Sequence, residues 1–286
     1  MTILPLSMLP VYEKDGFLFF RKNKDIDLDD GLIIDVSKID LIAAYLKNKK
    51  FKKIVVNSSY FTVNDLSFLK YLPFVQSISI VDSNHDISLV NDLYELQEIS
   101  IGDFRGIIDF NNFPNLERLG IDWSNKLKNL ENAINLRWLW LNNYKDVSLE
   151  KFKNFSKLTY LYLYRSSIIS LAGVGGMSSL VELNIDTANK IQTLNGFGEN
   201  NRNLKILDIY KAPRLTDYNA LQYLINLEKL RFTKAGDMKD IDVLRSFKNL
   251  KKVILGIKVL NGDMSYLENI PEYKFLNFPH YNLKSK

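Results

Sequence analysis

Ten segments of this chain share one hydrophobic frame, apolar-x-x-apolar-x-apolar, and they recur at almost constant spacing. The frame is plainest in Leu116–Ile121, Leu136–Leu141, Leu158–Leu163, Leu180–Ile185, Leu204–Ile209, Leu227–Phe232 and Leu250–Leu255. It continues upstream through Leu96–Ile101 and Val75–Ile80 to Phe51–Val56, and Tyr273–Phe278 reads as a degenerate last copy. Successive first positions lie 24, 21, 20, 20, 22, 22, 24, 23, 23 and 23 residues apart. A fixed period of this length signals a stacked repeat. Offsets 3 and 5 of each copy are two apart, as an extended strand with one buried face requires. One copy cannot bury its apolar side alone, so each must stack on a neighbour.

Period and strand motif together resemble the leucine-rich-repeat family over roughly residues 51–278. The resemblance implies an α/β solenoid, a leucine-rich-repeat horseshoe with a parallel sheet on its concave face. Its convex segments are expected to be irregular, 3-10 or short helical, because the second half of each copy is too short for a long helix. Apolar marks between strands, such as Leu66 and Leu69, Leu89 and Leu93, Leu149 and Phe152, and Ile169 and Leu171, are expected to line the outer wall. The family usually carries Asn eight residues after the first apolar position. Here that column reads Ser59, Ser83, Phe104, Ser124, Tyr144, Ser166, Ala188, Ala212 and Ala235. The strand frame is kept and the asparagine ladder is missing.

A stack of repeats exposes apolar surface at its ends and needs caps. Residues 1–50 are assigned to an N-terminal cap, with a strand at Gly16–Arg21. A helix follows on Ile39, Ile42, Ala43 and Leu46, begun by a capping box of Ser37 with Asp40. Repeats then occupy 51–261, and 262–286 forms the last degenerate repeat and closing cap.

The chain has 286 residues, 46% of them hydrophobic and 25% charged, with a net charge of +5, which fits a folded globular class. No apolar run reaches the length of a transmembrane helix, so no membrane insertion is expected. Met1–Pro10 is apolar but has two prolines and no preceding basic residue, a poor match to a secretory signal. With no cysteine, thiolate metal sites and cysteine nucleophiles are excluded, and a cytoplasmic setting is expected. Two histidines leave little for zinc or His-based catalysis.

Three motifs resemble chemistry that they do not complete. Asp25–Gly31 has the look of a calcium loop, but its sixth and twelfth positions hold Asp30 and Val36 rather than Gly and Glu. Gly173–Met177 lacks the Lys-Ser/Thr ending of a phosphate loop, so tight turning explains it better. The lysines from Lys47 to Lys53 suit a solvated helix end. No enzyme and no cofactor is expected.

The sharper signal lies at offsets 2, 4 and 6, which alternate with the core set and face solvent. Most rows there are small or charged: Lys53, Val55, Asn57; Ser77, Ser79, Val81; Arg118, Gly120, Asp122. Two adjacent rows are aromatic instead, Trp138, Trp140 and Asn142 beside Tyr160, Tyr162 and Tyr164. Tyr210 adds a ring two rows on, with Tyr144 and Trp123 at nearby strand ends. Asp122, Glu182, Asp186 and Asp208 frame the rings with negative charge. Contiguous exposed aromatics mark interaction sites, and Trp and Tyr lead among binding hot spots. Arg118, Asp122, Trp138, Trp140, Asn142, Tyr160, Tyr162, Tyr164, Glu182, Asp186, Asp208 and Tyr210 are therefore the expected partner-binding set. The acidic surround points to a protein partner with a basic surface. A glycan stacking on the rings is the alternative, in the manner of an adhesin or cell-surface receptor. Nucleic acid is disfavoured by the carboxylates. Bacterial proteins of similar appearance include internalin-type receptors and cytoplasmic leucine-rich proteins that neutralise toxins.

Overall fold

The computed structural model describes residues 11–20, 30–81 and 84–283. Met1–Pro10 and the acidic residues Asp25 to Asp29 lie outside that range. Two compact units are present, Met1–Ala133 and Ile134–Lys286.

In the first unit, β1 (Val11–Lys14) and β2 (Phe17–Phe20) form a hairpin whose turn places Asp15 and Gly16 at positive φ. β2 pairs antiparallel with β3 (Gly31–Ile33). From β3 onward the ladder is parallel through β4 (Lys53–Val56), β5 (Ser77–Ile80), β6 (Glu98–Ile101) and β7 (Arg118–Asp122). Between β3 and β4 runs α1 (Ile39–Lys49), with Ile42 and Leu46 fully buried. The expected capping box is corrected: Asp35, not Ser37, supplies the cap. Its Oδ1 accepts from the Ser37 backbone at 3.1 Å and from the Ser37 hydroxyl at 2.6 Å. A short 3-10 turn, Val36–Lys38, shifts the helix start past Ser37.

The cap also covers part of the face expected to be open. Phe20, Ile33 and Val55 form one cluster with Leu18, Tyr60 and Phe61 packed against it. Val55 is therefore buried; Ser77, which donates to Glu98, and Asn57, whose Oδ1 accepts from the Ser59 backbone, are buried as well. An end cap that seals a stack must place side chains against the first strands, and offset 4 of β4 is where they land.

The second unit is a single parallel ladder. Its strands are β8 (Trp138–Asn142), β9 (Tyr160–Tyr164), β10 (Glu182–Asp186), β11 (Ile206–Ala212), β12 (Lys229–Ala235), β13 (Lys252–Gly256) and β14 (Glu272–Phe275). Leu139, Leu141, Leu161, Leu163 and Leu183 are fully buried, so offsets 3 and 5 fill the core as the frame requires. The last copy needs a corrected register. Lys252 pairs with Glu272 and Val253 with Tyr273, so the frame starts at buried Ile270 rather than at Tyr273. Two outer-wall assignments shift by one residue. Val90 and Ile168 are buried, while Leu89 and Ile169 are exposed.

Segments between strands are short 3-10 turns, such as Ser67–Tyr71, Glu150–Phe152 and Asn219–Tyr223. Many are preceded by a residue whose side-chain oxygen accepts from the backbone N–H two residues on. Asp65, Asp86, Asp109, Ser148, Thr193, Asp217, Asp240 and Asp263 all serve in this way. Such Asx and Ser/Thr turns satisfy an otherwise orphaned donor at these helix starts. The same bonds, together with hydroxyl or amide donors from Ser67, Ser88, Asn129 and Ser265, hold the carboxyls of Asp65, Asp86, Asp109 and Asp263 below the usual range. Because folding lowers these values, their stabilisation is complete above the ordinary carboxylate range and disappears as pH falls through the folded values. The expected result is a denaturant midpoint that declines below about pH 4. Asparagine at Asp86 and Asp263 keeps the cap acceptor but cannot titrate. That double variant should show a shallower acid decline, measured by urea melts across the pH range.

The missing asparagine ladder has a substitute in two parts. At or just past the C-terminal ends of β8 to β12 one residue is left-handed: Asn143, Arg165, Thr187, Lys211 and Lys234 have φ between 53° and 59°. The backbone N–H of Asn143, Arg165 and Thr187 donates to Tyr164, Asp186 and Tyr210 of the next strand at 2.8–2.9 Å. The expected Asn column then turns inward, where Tyr144, Ala188 and Ala212 are fully buried. Asparagines instead precede the first apolar position. The side-chain amides of Asn203 and Asn226 donate to the carbonyls of Ser178 and Arg202 at 2.9 Å, linking successive turns. No helix among the described residues is long and apolar enough to cross a membrane.

Candidate functional site

The candidate surface is the solvent-facing side of β8 to β11. Parallel register without a slip sets its three rows. Trp138, Tyr160, Glu182 and Ile206 stand side by side, as do Trp140, Tyr162, Asn184 and Asp208. The third row is Asn142, Tyr164, Asp186 and Tyr210.

Neighbouring rings touch along these rows. Trp138 stacks on Tyr160 with centroids 5.3 Å apart and planes 2° from parallel. Trp140 meets Tyr162 edge-on at 6.4 Å and 75°, and Tyr162 leans on Tyr164 at 6.5 Å. Both pair geometries suit the ring quadrupole. All five rings are half-buried, each covered in part by its neighbours and still open to solvent. Burial, followed by the charge of Glu182, pushes the Tyr160 hydroxyl up to about 12. Tyr162 is raised further by burial and then by Asp186. Both phenols therefore stay protonated at neutral pH and can donate to an acceptor.

The negative surround is smaller than the sequence suggests. Asp208 is buried, and Arg231 Nε donates to its Oδ1 at 2.6 Å while Lys229 Nζ lies 4.0 Å from Oδ2. The ladder places Arg231 directly across from Asp208, so opposite charges meet within the sheet and the carboxylate is neutralised there. Glu182 and Asp186 differ, for the side chains that donate to them are neutral. Glu182 accepts from the Asn184 amide at 2.8 Å and Asp186 from the Thr187 hydroxyl at 2.7 Å. Tyr210 and Tyr164 flank Asp186 in its row, and each carries a cation over its ring. Arg165 lies 4.9 Å above Tyr164 and Lys234 lies 5.2 Å above Tyr210.

One further expectation is corrected. Tyr144 is not a surface ring: it is fully buried against Phe152, and its hydroxyl donates to the Ser148 carbonyl at 2.9 Å. Arg118 and Asp122 belong to the first unit. There Arg118 Nε is 3.5 Å from Glu98 Oε1, which shares its other oxygen with Lys53 and Ser77. Arg118 and Glu98 help line a recess of about 490 Å³ with Lys50, Lys52 and Asp30. The cation-capped tyrosines were not anticipated, although Arg165 follows Tyr164 directly in the chain.

Among the described residues, no three His, Asp or Glu side chains are grouped to hold a metal ion. The Gly173–Met177 stretch is a 3-10 turn in which Gly173 has φ +100° and presses on the backbone of Leu149, so its glycines serve close packing.

No family sequence model matches the chain, and neither does any curated protein sequence. Solved structures do resemble it. The functional domain of InlJ from Listeria monocytogenes aligns with a TM-score of 0.54 at 16% identity, over 77% of this chain and 54% of that one. The internalin inlF of Listeria monocytogenes str. 4b F2365 aligns at 0.50 and 18% identity, over 86% and 92% of the two chains. TLR13, solved in complex with ssRNA13, aligns at 0.54 and 16% identity, over 84% of this chain and 38% of that one.

Proposed function

The chain has the leucine-rich-repeat fold that those structures share, and from that premise we propose that it is a non-enzymatic binding protein whose aromatic rows dock a protein partner. One observation carries this reading: five half-exposed rings from two neighbouring strands form a single surface. Such rings combine large contact area with few rotatable bonds, which limits the entropy lost on docking. The phenols supply donors, and Glu182 and Asp186 supply acceptors for a lysine or arginine of the partner. Asp208 contributes nothing to that attraction, because Arg231 and Lys229 already hold it.

The test is affinity capture with the intact chain against the Trp140→Ala/Tyr162→Ala variant, after both are shown to melt alike. Loss of a central pair of rings should weaken a captured partner by about 2 kcal/mol or more, roughly thirtyfold in Kd. Equal capture by both proteins removes this surface from recognition. A hit on a glycan array that the variant loses would replace the protein partner with a sugar.

A further inference from the structure

The C-terminal ends of the second unit's strands and the loops that leave them carry a second surface. Lys145, Arg165, Lys190, Lys211, Arg214 and Lys234 are all exposed there. Asp146, Asp217, Asp237 and Asp240 are the carboxylates on the same stretches, and Asp217 and Asp240 already accept from the backbone N–H of Asn219 and Asp242. Residues 134–286 hold 23 Lys and Arg against 14 Asp and Glu, whereas residues 1–133 hold 15 against 19. The second unit thus owns the whole of the chain's positive excess.

None of these six cations pairs with a carboxylate among the described residues. The ion pairs of this unit lie elsewhere: Lys205 and Lys251 share Glu228, Arg202 meets Glu199, Arg231 meets Asp208, and Lys252 meets Glu272. Arg165 follows β9, and Lys211 and Lys234 are the next-to-last residues of β11 and β12; all three are left-handed. At Arg165 the backbone N–H is committed to Asp186 of the next strand. Consecutive strands sit ~4.8 Å apart in a sheet, so cations from successive copies fall along one edge.

We propose that this basic ridge binds an acidic segment of a protein partner. Charge complementarity supports an anion, and the neighbouring carboxylates decide which kind. Asp146, Asp237 and Asp186 are interspersed with the cations, and a phosphodiester backbone, charged at every nucleotide, would meet them. A peptide can place Asp and Glu against the cations and neutral residues against the carboxylates. The proposal does not depend on the aromatic rows, which lie on the strands themselves.

A fluorescent oligoglutamate peptide titrated into the intact chain by anisotropy tests it. Binding should occur at about 50 mM salt and weaken steeply on raising it, since exposed charges are screened. The Lys190→Glu/Lys211→Glu/Arg214→Glu variant should lose about tenfold or more in affinity. A matched reversal at Lys151, Lys153 and Lys248 changes net charge equally and should cost less than about threefold. Trp140→Ala should leave the titration unchanged. Equal loss in the two triple variants would reduce the effect to net charge and overturn the proposal, as would no binding at low salt. Tighter binding of single-stranded oligothymidylate, lost in the same ridge variant, would assign the ridge to nucleic acid instead. If the glutamate triple fails to melt like the parent, Lys190→Gln/Arg214→Gln replaces it and should still weaken the peptide severalfold.

Discussion

Alanine at Gly176 is expected to lower the stability of the second unit by about 3 kcal/mol or more, the penalty of forcing an added atom into packed backbone. A Cβ built there would sit 1.8 Å from the Lys153 carbonyl oxygen and 2.8 Å from its carbon. Neither atom belongs to a flexible side chain, so an entire turn would have to move. Gly173 and Gly196, both at positive φ, make the corresponding approach to Leu149 and Leu171, with a Cβ 2.3 and 2.0 Å from the carbonyl oxygens. Gly198 is the control. It is extended at φ −153° and has nothing within 4 Å of a Cβ, so alanine there should change the unfolding free energy from urea melts by less than about 0.5 kcal/mol. Equal melts for the two variants would show that successive turns are not in backbone contact at Gly176.

Tyr144 should behave as a core residue whose hydroxyl is hydrogen-bonded, chiefly to the Ser148 carbonyl and more weakly to Asp146. Its ring is fully buried 5.4 Å from Phe152, and its hydroxyl reaches the Ser148 carbonyl. Tyr144→Ala is expected to cost about 3–5 kcal/mol, in the range of large-to-small aromatic replacements. Tyr144→Phe keeps the packing and loses the bond, at about 1 kcal/mol. Calorimetry on both variants separates the two contributions. Neither should alter partner affinity once folded, unlike Trp140→Ala. A phenylalanine variant as damaging as alanine would refute the packing account.

Tyr144 also shows what a sequence leaves unread. The apolar frame at offsets 0, 3 and 5 gives the strands, their parallel register and the core, because period 2 within a strand leaves one choice of buried face. It also gives the aromatic rows, since Trp138, Trp140, Tyr160, Tyr162 and Tyr164 alternate strictly with buried leucines. That inference stops at the strand's end. Beyond Asn142 the chain turns through left-handed Asn143, alternation is broken, and Tyr144 points inward although its sequence neighbours suggest a surface ring. Tyr273 fails for a related reason. Ile270 and Tyr273 both fit an apolar first position, and only pairing with β13 decides between them.

Charges were less legible than rings. Asp208 and Asp186 occupy outward strand positions and look alike in sequence, yet one is buried against Arg231 and the other accepts from a threonine. What separates them is the residue across the ladder, a contact 23 residues away for Asp208. The cap over Val55 was hidden too, because its covering residues lie in a hairpin and a loop that share no period with the repeats. A count of charges by halves would have found the basic loops, since it needs no contact map.

The left-handed column separates two duties that most surface loops combine. In Asn143, Arg165 and Thr187 the main chain alone fastens one strand to the next, through bonds that ask nothing of the side chain. An asparagine ladder would lock each such position to one residue type. Here the rim can exchange arginine, lysine, threonine and asparagine from turn to turn without altering the backbone beneath. Single-residue changes can thus redraw what the edge attracts while leaving the scaffold as it was.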